Sequence, residues 1–258
     1  IMLWERGNYD DAHTYFERAL QIDSNSSLAV YRLARNHHKL QQFDEMVPHY
    51  EYLIAKHPDK THYKLQYGDL LINLNQYTEA EKVITDFVNL RPDSAKGWAS
   101  LAHCCRKMKK FDLAEKHCKK SLEIEPNRIQ SLVHSARIAY DVGRFSFALE
   151  RWNYILSLQP DNYTALMGVA QVYFIQKKYQ ITQDLLKDMI KNDKHKNRIW
   201  PYLKLINITY NGLKDFHYTI ELCKLLFSNV GSRVQNHKNL EHVPACHLAI
   251  SLSKVGRH

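Results

Sequence analysis

The sequence predicts an all-α chain, a right-handed superhelical solenoid of antiparallel helix pairs. Three observations predict it. Pro58, Pro92, Pro126 and Pro160 follow one another at a constant interval of 34 residues, in a chain of 258 residues with only seven prolines. A small residue keeps the same interval as Ala34, Gly68, Ala102, Ala136 and Ala170. An aromatic keeps it as Phe43, Tyr77, Phe111, Phe145 and Tyr179. Each has a physical reason. Proline lacks the N–H and its ring clashes with the preceding turn, so it stops a helix at a fixed place. Two antiparallel helices approach closely only where a side chain is small. The aromatic after the turn plugs the gap beside the next pair. Neither helix buries its apolar stripe alone, so each unit needs a neighbour.

Residues 1–26 open the chain as a partial unit: Met2 to Arg6 read as the end of a first helix, followed by a turn at Gly7 and a second helix carrying Tyr9, Ala12, Phe16 and Ala19. Residues 27–196 divide into five full units, 27–60, 61–94, 95–128, 129–162 and 163–196. The unit at 95–128 shows the pattern best. Trp98, Leu101, Ala102 and Cys105 mark the inner stripe of its first helix, and Phe111 closes the turn. Ala114, Cys118 and Ser121 mark the stripe of the second, and Pro126 ends it. The small residue of the second helix is Ala80, Ala114 and Ala148, with departures to Met46 and Thr182. Pro48 falls in the first turn of its helix, where backbone N–H groups lack helical acceptors in any case, and Pro201 and Pro244 take similar early places.

Regularity fades after Met189, and Lys194 replaces the terminal proline. Residues 197–228 read as a degenerate helix pair with Trp200, Leu203, Phe216, Cys223 and Leu226 as core, and with a longer turn at Asn211–Lys214. Residues 229–258 read as a polar loop over 229–241 and a terminal capping helix over 243–255, with Ala245, Leu248, Ala249 and Leu252 inward. Both ends interrupt the period, so the sequence reads as a piece of a larger repeat protein.

The pattern of residues 95–128 resembles the tetratricopeptide repeat, a 34-residue helix–turn–helix unit with W, L, G or A, an aromatic, A and P at these offsets. The resemblance covers nearly the whole chain. It implies that first helices line a concave groove, with positions 2, 5, 9, 12 and 13 of each unit pointing into it. Six of those positions in the five full units are Arg35, Lys39, Lys96, Arg106, Lys107 and Arg137, against Asp69 and Asp141 as the only acids. Tyr31, His38, His103, Tyr140 and Phe174 share the same positions, and toward the fifth unit the lining turns apolar with Met167, Phe174 and Ile175. The expected ligand-binding set is therefore Tyr31, Arg35, His38, Lys96, His103, Arg106, Arg137, Tyr140 and Phe174. The carboxylate clamp of chaperone-binding relatives is not expected: of Tyr31, Arg35, Gln66, Lys96 and Ser100 only Lys96 matches, and the next set, ending at His134, matches nowhere.

Composition narrows the function further. The net charge of +9 permits an acidic partner. No run of apolar residues is long enough for a membrane span, and the first ten residues carry no charged leader followed by an apolar core. Five cysteines without framework spacing suit a reducing, cytoplasmic setting. Sequons at Asn25, Asn162 and Asn207 are read as chance occurrences. His103–Cys105 and His117–Cys118 invite a zinc reading, but the helical register puts these side chains on different faces, from which four ligands do not converge. The pair His37–His38 is treated likewise. No catalytic, cofactor-binding or metal-ligating set is expected, since GxSxG, Walker A and GxGxxG are all missing.

The expected function is a non-catalytic scaffold that holds an acidic protein or peptide segment in a basic groove. The rival is the repeat region of a bacterial glycosyltransferase or surface-polysaccharide polymerase, holding an anionic glycan near a catalytic domain outside these residues. Nucleic acid ranks third, because no RNA-binding repeat code is visible.

Overall fold

The computed structural model describes residues 7–192, 194, 198–234 and 255. Among the described residues there are thirteen α-helices and no strand. They fall into two compact units, residues 1–138 and 139–258.

The first unit contains α1 (Tyr9–Ile22), α2 (Ser27–Leu40), a 3-10 turn (Asp44–Met46), α3 (Val47–Lys56), α4 (His62–Asn73), α5 (Tyr77–Leu90), α6 (Ala95–Lys107), α7 (Phe111–Ile124) and most of α8 (Ile129–Asp141). Its core runs from Val30 and Ala34 through Leu53, Leu71 and Ile84 to Leu101, Ala114 and Ile138. The crossing positions are closed: Ala34, Ala80, Ala102, Ala114 and Ala136 have no exposed surface. At Gly68 a Cβ would lie 2.3 Å from Ile84 Cγ1, so only glycine lets α4 and α5 approach this closely. Met46 is also buried, which explains the departure there: the 3-10 turn and Pro48 at the start of α3 replace a regular first turn.

The second unit continues with α9 (Phe145–Leu158), α10 (Tyr163–Ile175), α11 (Tyr179–Lys191), α12 (Ile199–Asn207), a π-helical turn (Ile208–Leu213) and α13 (Phe216–Val234). Its core gathers Ala170, Leu186, Met189, Tyr202, Leu205, Ile206, Cys223 and Leu226.

Two turn devices set the period. After each first helix one residue adopts a left-handed backbone: Gln41, Asn75, Lys109, Gly143 and Lys177, with Gly7 in the same register. The next N–H then reaches back to close the helix, as in Gln42 to His37, Gln76 to Leu71, Lys110 to Cys105, Arg144 to Ala139 and Lys178 to Tyr173. This is the Schellman closure. After α3, α5, α7 and α9 the residue before proline is His57, Arg91, Glu125 or Gln159, each near φ −130° to −140°. A residue preceding proline is disfavoured in the helical region, so the chain leaves the helix there.

The later part departs from the sequence-based expectation in three places. Trp200, expected in the core, is 57% exposed, and Tyr202 is fully buried instead. The helix begins at Ile199, which turns Pro201, Tyr202, Leu205 and Ile206 inward and leaves Trp200 outside that stripe. The long turn is a π-helical one over Ile208–Leu213 that ends on left-handed Lys214. Finally, α13 continues to Val234, where a loop was expected from residue 229. The rest of that loop, the capping helix over 243–255 apart from Val255, and the segment Met2–Arg6 lie outside the described residues.

Candidate functional site

The polar surface of the first unit is built on α2, α4, α6 and α8. Two cavities lie along it. One, of about 310 Å³, lies between α2 and α4, and its lining includes Arg35, His38, Lys39, Tyr50 and Gln66. The other, of about 180 Å³, lies among α4, α6 and α8, and its lining includes Lys96, Ser100, His103, Gln130 and His134. Asp69 and Asn73 border both.

Tyr31 stands at the start of this row. Its hydroxyl accepts from Gln66 Nε2 at 3.2 Å, and its ring packs edge-on to His62 at 6.4 Å. Arg35, one turn on, lies 6.0 Å from the Tyr31 ring centroid. His38 packs edge-on against Phe43. Asp69 accepts from Ser100 Oγ at 2.6 Å and lies 3.9 Å from Lys96 Nζ. Burial raises its carboxyl above the ordinary carboxylate range, opposed by the Ser100 hydroxyl and Lys96. Leu65, Ile72 and Ala99, which share the groove positions in sequence, are buried, and Ile72 and Ala99 line the second cavity.

His103 and His134 are stacked, ring centroids 4.7 Å apart. Burial, joined by Arg106, Lys107 and Arg137, holds His103 down at about 4. Burial, joined by His103, Arg106, Arg137 and Arg128, holds His134 down at about 3. Both rings are therefore neutral at neutral pH, and both feel the guanidinium groups of two successive first helices. His134 Nδ1 is buried with no hydrogen-bond partner. The sequence pattern for the groove did not point to His134. The signal was available: Gln66, Ser100 and His134 occupy position 6 of successive units, one turn from positions 2 and 9 on the same helical face.

Tyr140 and Phe174 belong to the second unit. There Tyr140 Oη accepts from Gln171 Nε2 at 2.8 Å, and Lys204 Nζ lies 5.0 Å from the Phe174 ring centroid.

The zinc-like residues disperse. The Cys104 thiol donates to the Tyr77 carbonyl at 3.2 Å and the Cys118 thiol to the Ser131 carbonyl at 3.0 Å. Burial pushes the Cys104 thiol up to about 12 and Cys105 up to about 11, so these are protonated donors. His117 stacks on Trp98, away from His103. His37 is buried, stacked on His49 at 5.5 Å and bonded to Gln42, while exposed His38 borders the first cavity. Among the described residues no group of three His, Cys, Asp or Glu side chains is placed to hold a metal. No helix among them is long and apolar enough to cross a membrane.

Stacked helix pairs of fixed length, with polar cavities along their first helices, define a helical-repeat protein of the binding-scaffold type. The chain belongs to the tetratricopeptide repeat family: family models of that description match residues 3–45, 61–94, 95–128 and 135–180. A curated relative, tetratricopeptide repeat-containing protein trd-1 of Caenorhabditis elegans, is 24% identical over 190 residues, which is 72% of this chain. The chain spans 24% of that relative's length. A tetratricopeptide repeat protein from Parabacteroides merdae has a TM-score of 0.74 at 13% identity, covering 97% of this chain and 94% of its own. A human IFIT1 dimer with m7Gppp-AAAA has a TM-score of 0.68 at 14% identity, covering 95% of this chain and 64% of its own. These two structures share the fold. Proteins of this family are generally protein-interaction scaffolds.

Proposed function

We propose that the chain is a non-catalytic scaffold that holds an acidic segment of a partner protein along the first-helix face of its first unit. One observation carries this reading. Lys96, His103 and His134 line one cavity on the first-helix face, and after burial it is Arg106 on α6 and Arg137 on α8 that help hold both histidines neutral, so the field of successive repeats is positive there. Arg35 and Lys39 extend the same sign to the neighbouring cavity, with Tyr31 beside them. Arginine suits the role, because its planar fork holds a carboxylate at two points. The buried thiols of Cys104, Cys105, Cys118 and Cys223 favour a reducing compartment.

Charge reversal tests the site. Arg106→Glu with Arg137→Glu should weaken binding of a Glu-rich peptide by tenfold or more, roughly the effect of losing one charge-assisted contact, while the helical circular dichroism stays unchanged. Lys116→Glu with Lys119→Glu, on the exposed face of α7, is the matched control. Equal loss in both would show an effect of total charge and remove the groove. Binding should also fall steeply with salt, as the Debye length shortens from about 10 Å at 0.1 M to about 3 Å at 1 M. Preference for a sulfated glycan over the peptide in the same assay would replace the partner class.

A further inference from the structure

The cavity among α4, α6 and α8 carries a feature that a plain basic groove does not need. Two histidines from successive first helices stack there, one of them buried with an unpartnered Nδ1, in a lining that also holds Lys96. We propose that this cavity is a carboxylate subsite whose filling is coupled to proton uptake by the His103–His134 pair, so that the scaffold grips its acidic segment more tightly as pH falls. The inference rests on the groove reading and adds its regulation.

The charged groups on all sides favour this coupling. Arg106 and Lys107 share α6 with His103, Arg137 and Arg128 act from α8 and the turn before it, Lys96 stands at the cavity wall, and Asp69 is the one acid on α4. In the free protein burial, joined by the cations, keeps both rings neutral. A carboxylate entering the cavity brings one negative charge into that field. It offsets the guanidinium groups and accepts an N–H from the pair, so the imidazolium form becomes favourable and one proton is taken from solvent. The balance is simple: carboxylate, neutral imidazole and a proton give a carboxylate–imidazolium pair, with no bond broken. A group whose pKa rises on binding takes up a proton, so affinity must rise as pH falls. A cavity of about 180 Å³ admits an acidic side chain, and Asp69 at its edge repels a doubly charged group more than a singly charged one.

The test uses the full chain and a fluorescein-labelled peptide of alternating Gly and Glu, ten residues long. Its affinity is measured at constant ionic strength between about pH 5 and pH 7.5, above the ordinary carboxylate range and across that of imidazole. The expected result is affinity rising as pH falls, by up to roughly tenfold per unit for one linked proton. Calorimetry in two buffers of different ionisation enthalpy should show net proton uptake. His103→Gln and His134→Gln should each flatten the slope, while His217→Gln, an exposed residue of the second unit, should leave it intact. Should the buried His134 variant fail to fold, the half-buried His103 variant decides alone. Binding without proton uptake, or an equal slope in the His103 variant, overturns the inference and leaves the groove standing. No binding at any pH overturns both. Tighter binding of the same peptide with phosphoserine in place of Glu overturns the carboxylate assignment.

Discussion

Ala102 shows what the core demands of a single residue. It is fully buried at the crossing of α6 with its neighbours, where the side chain can be no larger. Ala102→Trp should lower stability by roughly 1–3 kcal/mol or more through overpacking, read as a shift of the urea midpoint. An unchanged midpoint would mean the crossing lies elsewhere. The thiols give a second residue-scale expectation. Burial raises Cys104 to about 12 and Cys105 and Cys223 to about 11. In a Cys246→Ser background, alkylation of Cys105 and Cys223 in the native protein near pH 8 should run roughly a few hundredfold slower than in the unfolded chain, and that of Cys104 slower still, because the thiolate is the reactive form. Such small and apolar positions were readable from the sequence, since helical spacing alone orders them. Trp200 and His134 were not. Trp200 depended on the start of α12, which no repeat proline announces, and His134 on a neighbouring helix that brings His103 over it.

At the scale of the element, the prolines were visible in the sequence and the other half of the turn was not. The left-handed residue after each first helix is glycine only at Gly7 and Gly143. Asn75 is of a type that favours the conformation, but Gln41, Lys109 and Lys177 do not advertise it. Gly143 isolates the backbone cost, because a Cβ there would meet nothing within 4 Å. Gly143→Ala should therefore destabilise by about 1 kcal/mol from left-handed strain alone, measured by urea unfolding with an unchanged m-value. A neutral result would show that the Schellman closure yields without cost. The same device explains the irregular turn. Lys214 is left-handed like its counterparts, but the π-helical turn over Ile208–Leu213 displaces it from the period, so counting from Lys177 no longer finds it.

At the scale of the whole molecule, the 34-residue period of the sequence runs through residue 138 without a break, although the chain divides there into two compact units. Ala136 and Phe145 keep their places on either side, so no shift of composition marks the division. The basic lining of Arg35, Lys96, Arg106 and Arg137 lies wholly in the first unit, with Tyr140 and Phe174 in the second. That grouping follows from packing, which the alternation of helices does not encode. One feature of the first unit reaches beyond its own walls. Asp69 and Asn73 border the cavities on both sides of α4, so this helix is a party wall between two rooms. Packed helices stand about 8–10 Å apart, and an extended chain advances about 3.3 Å per residue. On the groove reading, an extended acidic segment would pass one first helix for roughly every three of its residues. A peptide with acids three apart should outbind one of equal composition with its acids adjacent, in a competition measured by fluorescence anisotropy. Equal affinity would show that the face counts charge without measuring its spacing.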